Sequence, residues 1–346
     1  MEEKKVVLIP QKVAGEDFQS LRSDFLVLEP ERHNEPFSKQ ELDKYLPIAD
    51  AIVAITEIDA EMIAKSLRLK VIVANGAGFD NIDITAANAL KIPVINIPDT
   101  TAYATAELAL ALMLNVSRRV SEADRELHRR IDNVEEFFAI GRNPGRTLNG
   151  KNLGIIGLGH IGRQLAELCW PMKMNIFYHS RNRLPLVQEK GIRYLSLDEL
   201  LKISDVVSIH CPLNDSTRNM INYDALMKMK SGAILINTAR GGIVDYDAMI
   251  YFLETGKLSG VGLDVYPEEP KIPSKLLLMP QAVLTPHIGT NTIETRQQMA
   301  DAISSVIREV LGNPGSPVTK DIVNPEIYAS KEEIQSLLPG FNGENE

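Results

Sequence analysis

Cysteine is nearly absent from this chain: two residues, Cys169 and Cys211, among 346. They lack metal-ligand spacing and could close at most one disulfide. A zinc-built or disulfide-stapled scaffold is therefore excluded, no metal is expected, and reduced, packed thiols in a cytoplasmic protein are the expectation. Long apolar runs are missing too. None approaches the roughly 20 residues needed to span a bilayer. The first apolar stretch, Val6 to Ile9, is stopped by Pro10 and is too short for a secretory leader. Positive charge is in deficit, with 37 Lys and Arg against 46 Asp and Glu, a net −9. A chain without a basic excess is a poor partner for a phosphate backbone, so neither nucleic acid nor membrane is an expected partner. A small anionic substrate remains compatible, because a local cluster can oppose the global sign. Low-complexity segments and internal repeats are also lacking.

What the chain does contain is ordinary for a globular protein, with 44% apolar and 24% charged residues. Its length suggests two domains at about 100–200 residues each. Short β-branched runs recur, each followed by a more helical stretch. In the first half they are Val6–Ile9, Phe25–Glu29, Ala51–Thr56, Val71–Ala74 and Val94–Ile97. In the second they are Leu153–Gly157, Asn175–His179, Val206–His210, Ala233–Asn237, Val261–Val265 and Ala282–Thr285. Near-continuous apolar strands alternating with helices predict α/β architecture with parallel sheets covered on both faces. Ala102 to Arg119 reads as a buried helix, apolar almost all round, preceded by a break with possible caps at Pro98-Asp99-Thr100-Thr101, where a domain crossover is placed. A second periodic helix runs from about Ile293 to Leu311.

Residues 153–162 read Leu-Gly-Ile-Ile-Gly-Leu-Gly-His-Ile-Gly, a G-x-G-x-x-G at Gly157, Gly159 and Gly162 directly after a strand and opening a helix from about Arg163 to Trp170. The glycines allow the tight turn, the approach of a pyrophosphate to the backbone, and close helix–strand packing. The helix start, at His160 and Ile161, supplies amide donors and the positive dipole end. The next strand ends Tyr178-His179-Ser180-Arg181-Asn182-Arg183, with no acidic residue between Glu167 and Glu189. NAD sites commonly place a carboxylate there for the ribose hydroxyls. Ser180, Arg181 and Arg183 instead offer a hydroxyl and forked cations to a 2′-phosphate, so NADP is favoured over NAD.

Four blocks carry a family resemblance: Asn75-Gly-Ala-Gly-Phe-Asp-Asn-Ile-Asp83; the glycine block 154–162; Asn237-Thr-Ala-Arg-Gly-Gly-Ile-Val-Asp245 with Gly262-Leu-Asp-Val-Tyr-Pro-Glu-Glu-Pro270; and Thr285-Pro-His-Ile-Gly289. With them the chain resembles the D-isomer-specific 2-hydroxyacid dehydrogenases, in detail from about Val71 to Gly312. The resemblance implies two Rossmann/flavodoxin-like domains with a cleft between them. A discontinuous substrate-binding domain would comprise 1–100 and 288–346, and an NAD(P)-binding domain 101–287. It implies reduction of a small 2-oxo acid to a D-2-hydroxy acid, of the glyoxylate/hydroxypyruvate reductase type, by hydride transfer from NAD(P)H.

Residue by residue, the resemblance makes His287 the acid/base, a role suited to a side chain that exchanges a proton near neutrality. Glu269, immediately before proline, would be its carboxylate partner. Arg240 would grip the substrate carboxylate and polarise the carbonyl. The small-residue loop Asn75, Gly76, Ala77 and Gly78 would hold the same carboxylate on backbone amides. Asp264 would accept from the nicotinamide carboxamide, Thr105 and Thr238 would line the cofactor, and His210-Cys211-Pro212 would lie over the adenine side. The apolar helix 104–118 and the charged segment 121–146 correspond to the family's dimer arm, so a homodimer is expected. Two other readings exist within the resemblance: a non-catalytic, dinucleotide-sensing corepressor, and a phosphoglycerate dehydrogenase-type enzyme using NAD.

Overall fold

The computed structural model describes residues 4–129, 138, 140–185, 189, 191–312 and 320–328. Its backbone contacts divide the chain into two units, Met1–Thr101 with Asn291–Glu346, and Ala102–Thr290.

The first unit carries a five-stranded parallel sheet. Its strands are β1 (Val6–Leu8), β2 (Leu26–Leu28), β3 (Ala51–Ala54), β4 (Val71–Ala74) and β5 (Val94–Ile95), in spatial order β2-β1-β3-β4-β5. The connecting helices α1 (Lys39–Tyr45), α2 (Ala60–Lys65) and α3 (Ile84–Ala89) start on Ser38, Asp59 and Asp83, whose side chains accept from the first-turn amides. Such caps satisfy donors that a helix start leaves free. The strands read as unbroken apolar runs because both faces are covered. Val7, Ala51, Val53, Val71 and Val73 pack on one side, and Leu8, Ile52, Ala54, Ile72 and Ala74 on the other.

Helix α4 (Pro98–Arg118) runs across the division at Ala102, and α5 (Val120–Arg129) follows it in the second unit. Helix α4 starts at Pro98 rather than after the break read in the sequence. Proline fits a first turn because its absent N–H has no partner there. A seven-stranded parallel sheet follows: β6 (Asn152–Ile156), β7 (Asn175–His179), β8 (Arg193–Tyr194), β9 (Val206–Ile209), β10 (Ala233–Asn237), β11 (Leu258–Leu263) and β12 (Ala282–Leu284). Its order is β12-β11-β10-β9-β6-β7-β8. Five helices accompany it: α6 (His160–Cys169), α7 (Leu197–Ile203), α8 (Tyr223–Lys228), α9 (Tyr246–Glu254) and α10 (Ser274–Leu278). Helix α6 begins at His160, three residues before the expected Arg163.

Two strands depart furthest from the sequence reading. β8 is only two residues long, too short to show as a run. β11 begins at Leu258, not Val261, and carries Gly260 and Gly262, which ordinarily weaken a strand. Their reason is α4. A Cβ on Gly260 would lie 2.6 Å from Val116 Cγ1, and one on Gly262 would lie 2.9 Å from Leu112 Cβ. The glycines let α4 sit directly on the sheet.

The last helix, α11 (Ile293–Gly312), returns to the first unit, where Met299, Ile303 and Ile307 join the core on one face of the five-stranded sheet. Beyond it Asn324 is fully buried, accepting from the Val94 amide and donating to the Ile92 carbonyl.

Candidate active site

In a parallel sheet every strand ends on the same edge, so the loops after the strands share one rim. Along the carboxyl edge of the seven-stranded sheet the order of strands becomes an order of chemistry. β12 leads to His287, β11 to Asp264 and Glu269, and β10 to Thr238 and Arg240. β9 leads to His210 and Cys211, β6 to the glycine turn, and β7 to Ser180 and Arg181. The strand succession reverses between β6 and β9, the switch point where such sheets bind ligands. Five strand spacings separate β12 from β7, roughly 24 Å at about 4.8 Å each.

At the β12 end, His287 Nδ1 lies 2.7 Å from Glu269 Oε2. The other carboxylate oxygen of Glu269 accepts from the Tyr266 amide at 2.9 Å. Burial pushes the Glu269 carboxyl up. The His287 bond, the Tyr266 amide and the charges of His287 and Arg240 outweigh that and hold it below the usual carboxylate range. Adjacent Glu268 points away and pairs loosely with Lys271 at 3.7 Å. The imidazole is half-exposed, and with Nδ1 engaged its Nε2 is the atom left for a reacting partner.

Arg240 enters the same group from β10. Its carbonyl accepts from Asn237 Nδ2 at 2.9 Å, and Nη1 donates to the Ala239 carbonyl at 2.8 Å. The next residue must be glycine, since a Cβ on Gly241 would lie 2.0 Å from the Tyr266 carbonyl carbon. That contact presses the Arg240 turn against the turn carrying Glu269.

Asp264 is almost wholly buried. Oδ1 accepts from Thr285 Oγ1 at 2.6 Å and the Ile288 amide at 2.8 Å, and Oδ2 accepts from the Gly289 amide at 2.9 Å. The Asp264 carbonyl also accepts from the His287 amide at 2.9 Å. Asp264 is a clamp on the loop 285–289, in which His287 adopts a left-handed φ of 53°. Such a backbone costs on the order of 1–3 kcal/mol and persists only where its surroundings enforce it. Tyr266, which the sequence did not single out, ties the same loops together through its hydroxyl, donated to the Thr285 carbonyl at 2.9 Å.

At the centre of the rim, Gly157 has φ 94°, and a Cβ there would strike the Cys211 amide at 2.6 Å. On Gly162 it would lie 2.2 Å from the Gly157 carbonyl oxygen, whereas at Gly159 it would meet nothing within 4 Å. Two glycines make the turn close enough, and the third leaves open space over the start of α6, which no side chain caps. His160 is exposed and Ile161 half-buried beside it. His210 bonds Ser208 Oγ through Nε2 at 2.8 Å, and burial pushes its imidazole down to about 3. Its Nδ1 and the Thr238 hydroxyl are buried without a hydrogen-bond partner. Thr105 is buried on α4, 3.5 Å from where a Cβ on Gly289 would sit. Cys211 lies against the core with its thiol pushed up to about 12 by burial, and Pro212 is exposed. An uncapped helix start, an open glycine and orphaned polar atoms on one rim fit a dinucleotide.

At the β7 end Arg183 meets a carboxylate. Its Nε and Nη2 donate to Glu189 at 2.8 and 3.1 Å, and Glu189 also accepts from the buried Tyr178 hydroxyl at 3.0 Å. Nothing in the local sequence signals that Glu189, beyond the loop, folds back on it. Ser180 Oγ donates to the Asn182 carbonyl at 2.7 Å, and Arg181 is exposed.

The loop Asn75–Gly78 belongs to the first unit, after β4. The Gly76 carbonyl accepts from the Ile97 amide at 3.0 Å, and the Ala77 carbonyl from Asn96 Nδ2 at 2.8 Å. The amides of Gly76, Ala77 and Gly78 donate to no acceptor among the described residues. Among those residues no group of His, Cys, Asp and Glu could hold a metal, and no helix is long and apolar enough to cross a membrane.

Residues 110–289 match the family model for the D-isomer specific 2-hydroxyacid dehydrogenase, NAD binding domain, which makes the cofactor a nicotinamide dinucleotide. A glyoxylate reductase of Thermococcus onnurineus is 35% identical over 98% of this chain and 99% of its own. The crystal structure of a glyoxylate reductase from Paecilomyes thermophila superposes with a TM-score of 0.82 at 35% identity, covering 94% of this chain and 100% of that one. An NADPH-dependent glyoxylate/hydroxypyruvate reductase from Sinorhizobium meliloti, in complex with NADP and malonate, gives 0.78 at 26% identity, over 91% and 97%. The chain belongs to the D-isomer specific 2-hydroxyacid dehydrogenases.

Proposed function

We propose that this protein reduces a small 2-oxo acid of the glyoxylate or hydroxypyruvate class to the D-2-hydroxy acid, preferring NADPH. The observation that carries the reading is the pair His287–Glu269 at 2.7 Å, next to the Arg240 turn. The dinucleotide, when bound, supplies a hydride to the substrate carbonyl carbon. Gly157, Gly159 and Gly162, with the amides of His160 and Ile161, hold its phosphates, and Thr105, Thr238, His210, Cys211 and Pro212 line it. Nε2 of His287 gives its proton to the carbonyl oxygen as the alkoxide forms. Glu269 keeps the ring oriented through Nδ1. Arg240 grips the carboxylate and polarises the carbonyl. The open amides of Gly76, Ala77 and Gly78 suit a substrate carboxylate, which makes the first unit the substrate domain and the second the cofactor domain. A panel of 2-oxo acids assayed with NADPH and NADH tests the reading. Turnover of glyoxylate or hydroxypyruvate supports it, and nucleotide binding without any turnover overturns it in favour of a sensing protein.

Cofactor choice rests on Ser180 and Arg181, with Arg183, whose guanidinium is shared with Glu189, beside them. One charge-assisted hydrogen bond to the 2′-phosphate is worth about 1.5–3 kcal/mol. The ratio of kcat/KM for NADPH over NADH should therefore be roughly tenfold or more. Ser180→Asp with Arg181→Ala should reverse it without altering the chemical step, which lies at the other end of the rim. A ratio at or below one in the unaltered protein rejects the assignment.

The cytoplasmic homodimer belongs to the same reading. Val120 and Leu127 on α5, with Phe138 and Ile140, expose apolar side chains, as an arm awaiting a second copy would. Residues 130–137 and 139 of the expected arm lie outside the described residues. Light scattering at micromolar concentration should give twice the chain mass, and a monomer mass rejects the dimer.

A further inference from the structure

A buried ion pair lies beneath the substrate loop and takes no part in the chemistry above. Glu16, in the segment after β1, has a side chain with no exposed surface, and its Oε1 accepts from Arg296 Nη1 at 2.9 Å. Arg296 stands in the first turn of α11. The same Oε1 accepts from Nδ2 of Asn75 at 3.1 Å. Burying such a pair is costly, and an apolar pair of similar size commonly packs as well or better. Burial also pushes the Glu16 carboxyl above its ordinary value, against the bonds from Asn75 and Arg296 and the Arg296 charge. Three further atoms of this trio, Glu16 Oε2, Asn75 Oδ1 and Arg296 Nε, are buried with no partner. A group this expensive needs a reason beyond packing.

Asn75 supplies one. It is the residue at which β4 becomes the loop. The far side of that loop is fixed by two carbonyls bonded to Ile97 and Asn96. On the near side the Asn75 amide reaches the Ala54 carbonyl at only 3.3 Å, and the side-chain bond to Glu16 is the shorter contact. We infer that Glu16 and Arg296 are positioning residues that hold Asn75 and thereby preset the amides of Gly76, Ala77 and Gly78 for the substrate carboxylate. This rests on the proposed role of that loop. Glu16 orients Asn75 and touches no substrate, and Arg296 holds Glu16 in place.

Loss of a preset anion site weakens ground state and transition state alike, so it should raise KM for the 2-oxo acid and spare kcat. Glu16→Ala should raise that KM about tenfold, the scale of one lost charge-assisted bond, with kcat and the KM for NADPH within about twofold of wild type. Glu16→Gln retains an acceptor for Asn75 and should restore KM to within about threefold. Because Glu16→Ala strands the Arg296 charge and could unfold the domain, the paired change Glu16→Met with Arg296→Leu is measured beside it. It should fold, by thermal melting, and still show the raised KM. A folded pair variant with wild-type KM, a loss of kcat instead of KM, or failure of Glu16→Gln to restore binding overturns the inference. Amide hydrogen exchange over 75–79, with NADP and oxamate as an unreactive 2-oxo acid mimic, separates this from the reading beneath it. No protection in the wild type removes the loop's carboxylate role. Protection in the wild type that persists unchanged in the pair variant removes only the role of Glu16 and Arg296.

Discussion

Replacing His287 with alanine or glutamine should cut turnover about 10²–10⁴-fold, the usual worth of a positioned general acid, while nucleotide affinity stays near wild type. The two effects separate because His287 hangs from β12 at one end of the rim, and the glycine turn after β6 lies four strands away. Unchanged turnover would show that another group is the acid. The companion change, Glu269→Gln, tests the pair through pH. The Glu269 carboxyl lies below its usual range because the bonds from His287 and the Tyr266 amide outweigh burial. It is therefore ionised across the neutral range. A glutamine cannot titrate, so the loss of turnover that protonation of Glu269 brings at low pH should disappear from the reduction profile. In the unaltered protein the stabilisation from this pair is present above the ordinary carboxylate value and is lost as pH falls through the lowered one. A profile that does not move removes Glu269 from the role.

Much of this arrangement was legible because parallel strands covered on both faces are short and apolar throughout. Val71–Ala74 and Ala233–Asn237 were readable to the residue. β11 was not, because its first half carries Gly260 for the sake of α4, a contact that no local pattern announces. The start of α4 was misplaced for a related reason. Pro98 is read as a breaker when considered alone, yet it is at ease in a first turn.

Within the site, the residues with a single chemical use were the easiest to find. His287 and Glu269 meet, and proximity to proline singled out the one of two adjacent glutamates that bonds the imidazole. The contacts that the sequence did not show share a cause. Asp264 and Arg183 are versatile side chains whose role depends on what folds next to them. Asp264 meets three donors from residues 285–289, and Arg183 meets Glu189, a residue that a strand-by-strand reading leaves outside the loop. Long-range pairing of this kind, like Glu16 with Arg296 across 280 residues, leaves no trace in spacing.

Asp264 carries the other large expected effect. Asp264→Ala should lower both stability and turnover. Three donors, Thr285 Oγ1, Ile288 N and Gly289 N, lose their acceptor in a place closed to water, and each buried polar group left unsatisfied costs about 1–3 kcal/mol. His287, whose left-handed backbone is held by the same loop, would then relax. A displacement of about 1 Å at a catalytic group can cost on the order of 10²-fold. Asp264→Asn is the sharper variant, because it keeps shape and volume. An amide has one acceptor oxygen and one donor nitrogen, whereas the clamp needs acceptors on both sides: Oδ1 for Thr285 and Ile288, Oδ2 for Gly289. Whichever way the amide turns, one backbone N–H of the loop faces an N–H. Asp264→Asn should therefore melt several degrees lower and lose turnover with little change in nucleotide affinity, since the loop it disturbs carries the acid and not the phosphate turn. Tm, kcat and the Kd for NADPH, measured together, decide it. Wild-type Tm and kcat would show that the loop does not need this clamp, and a weakened Kd would show that Asp264 also meets the nicotinamide.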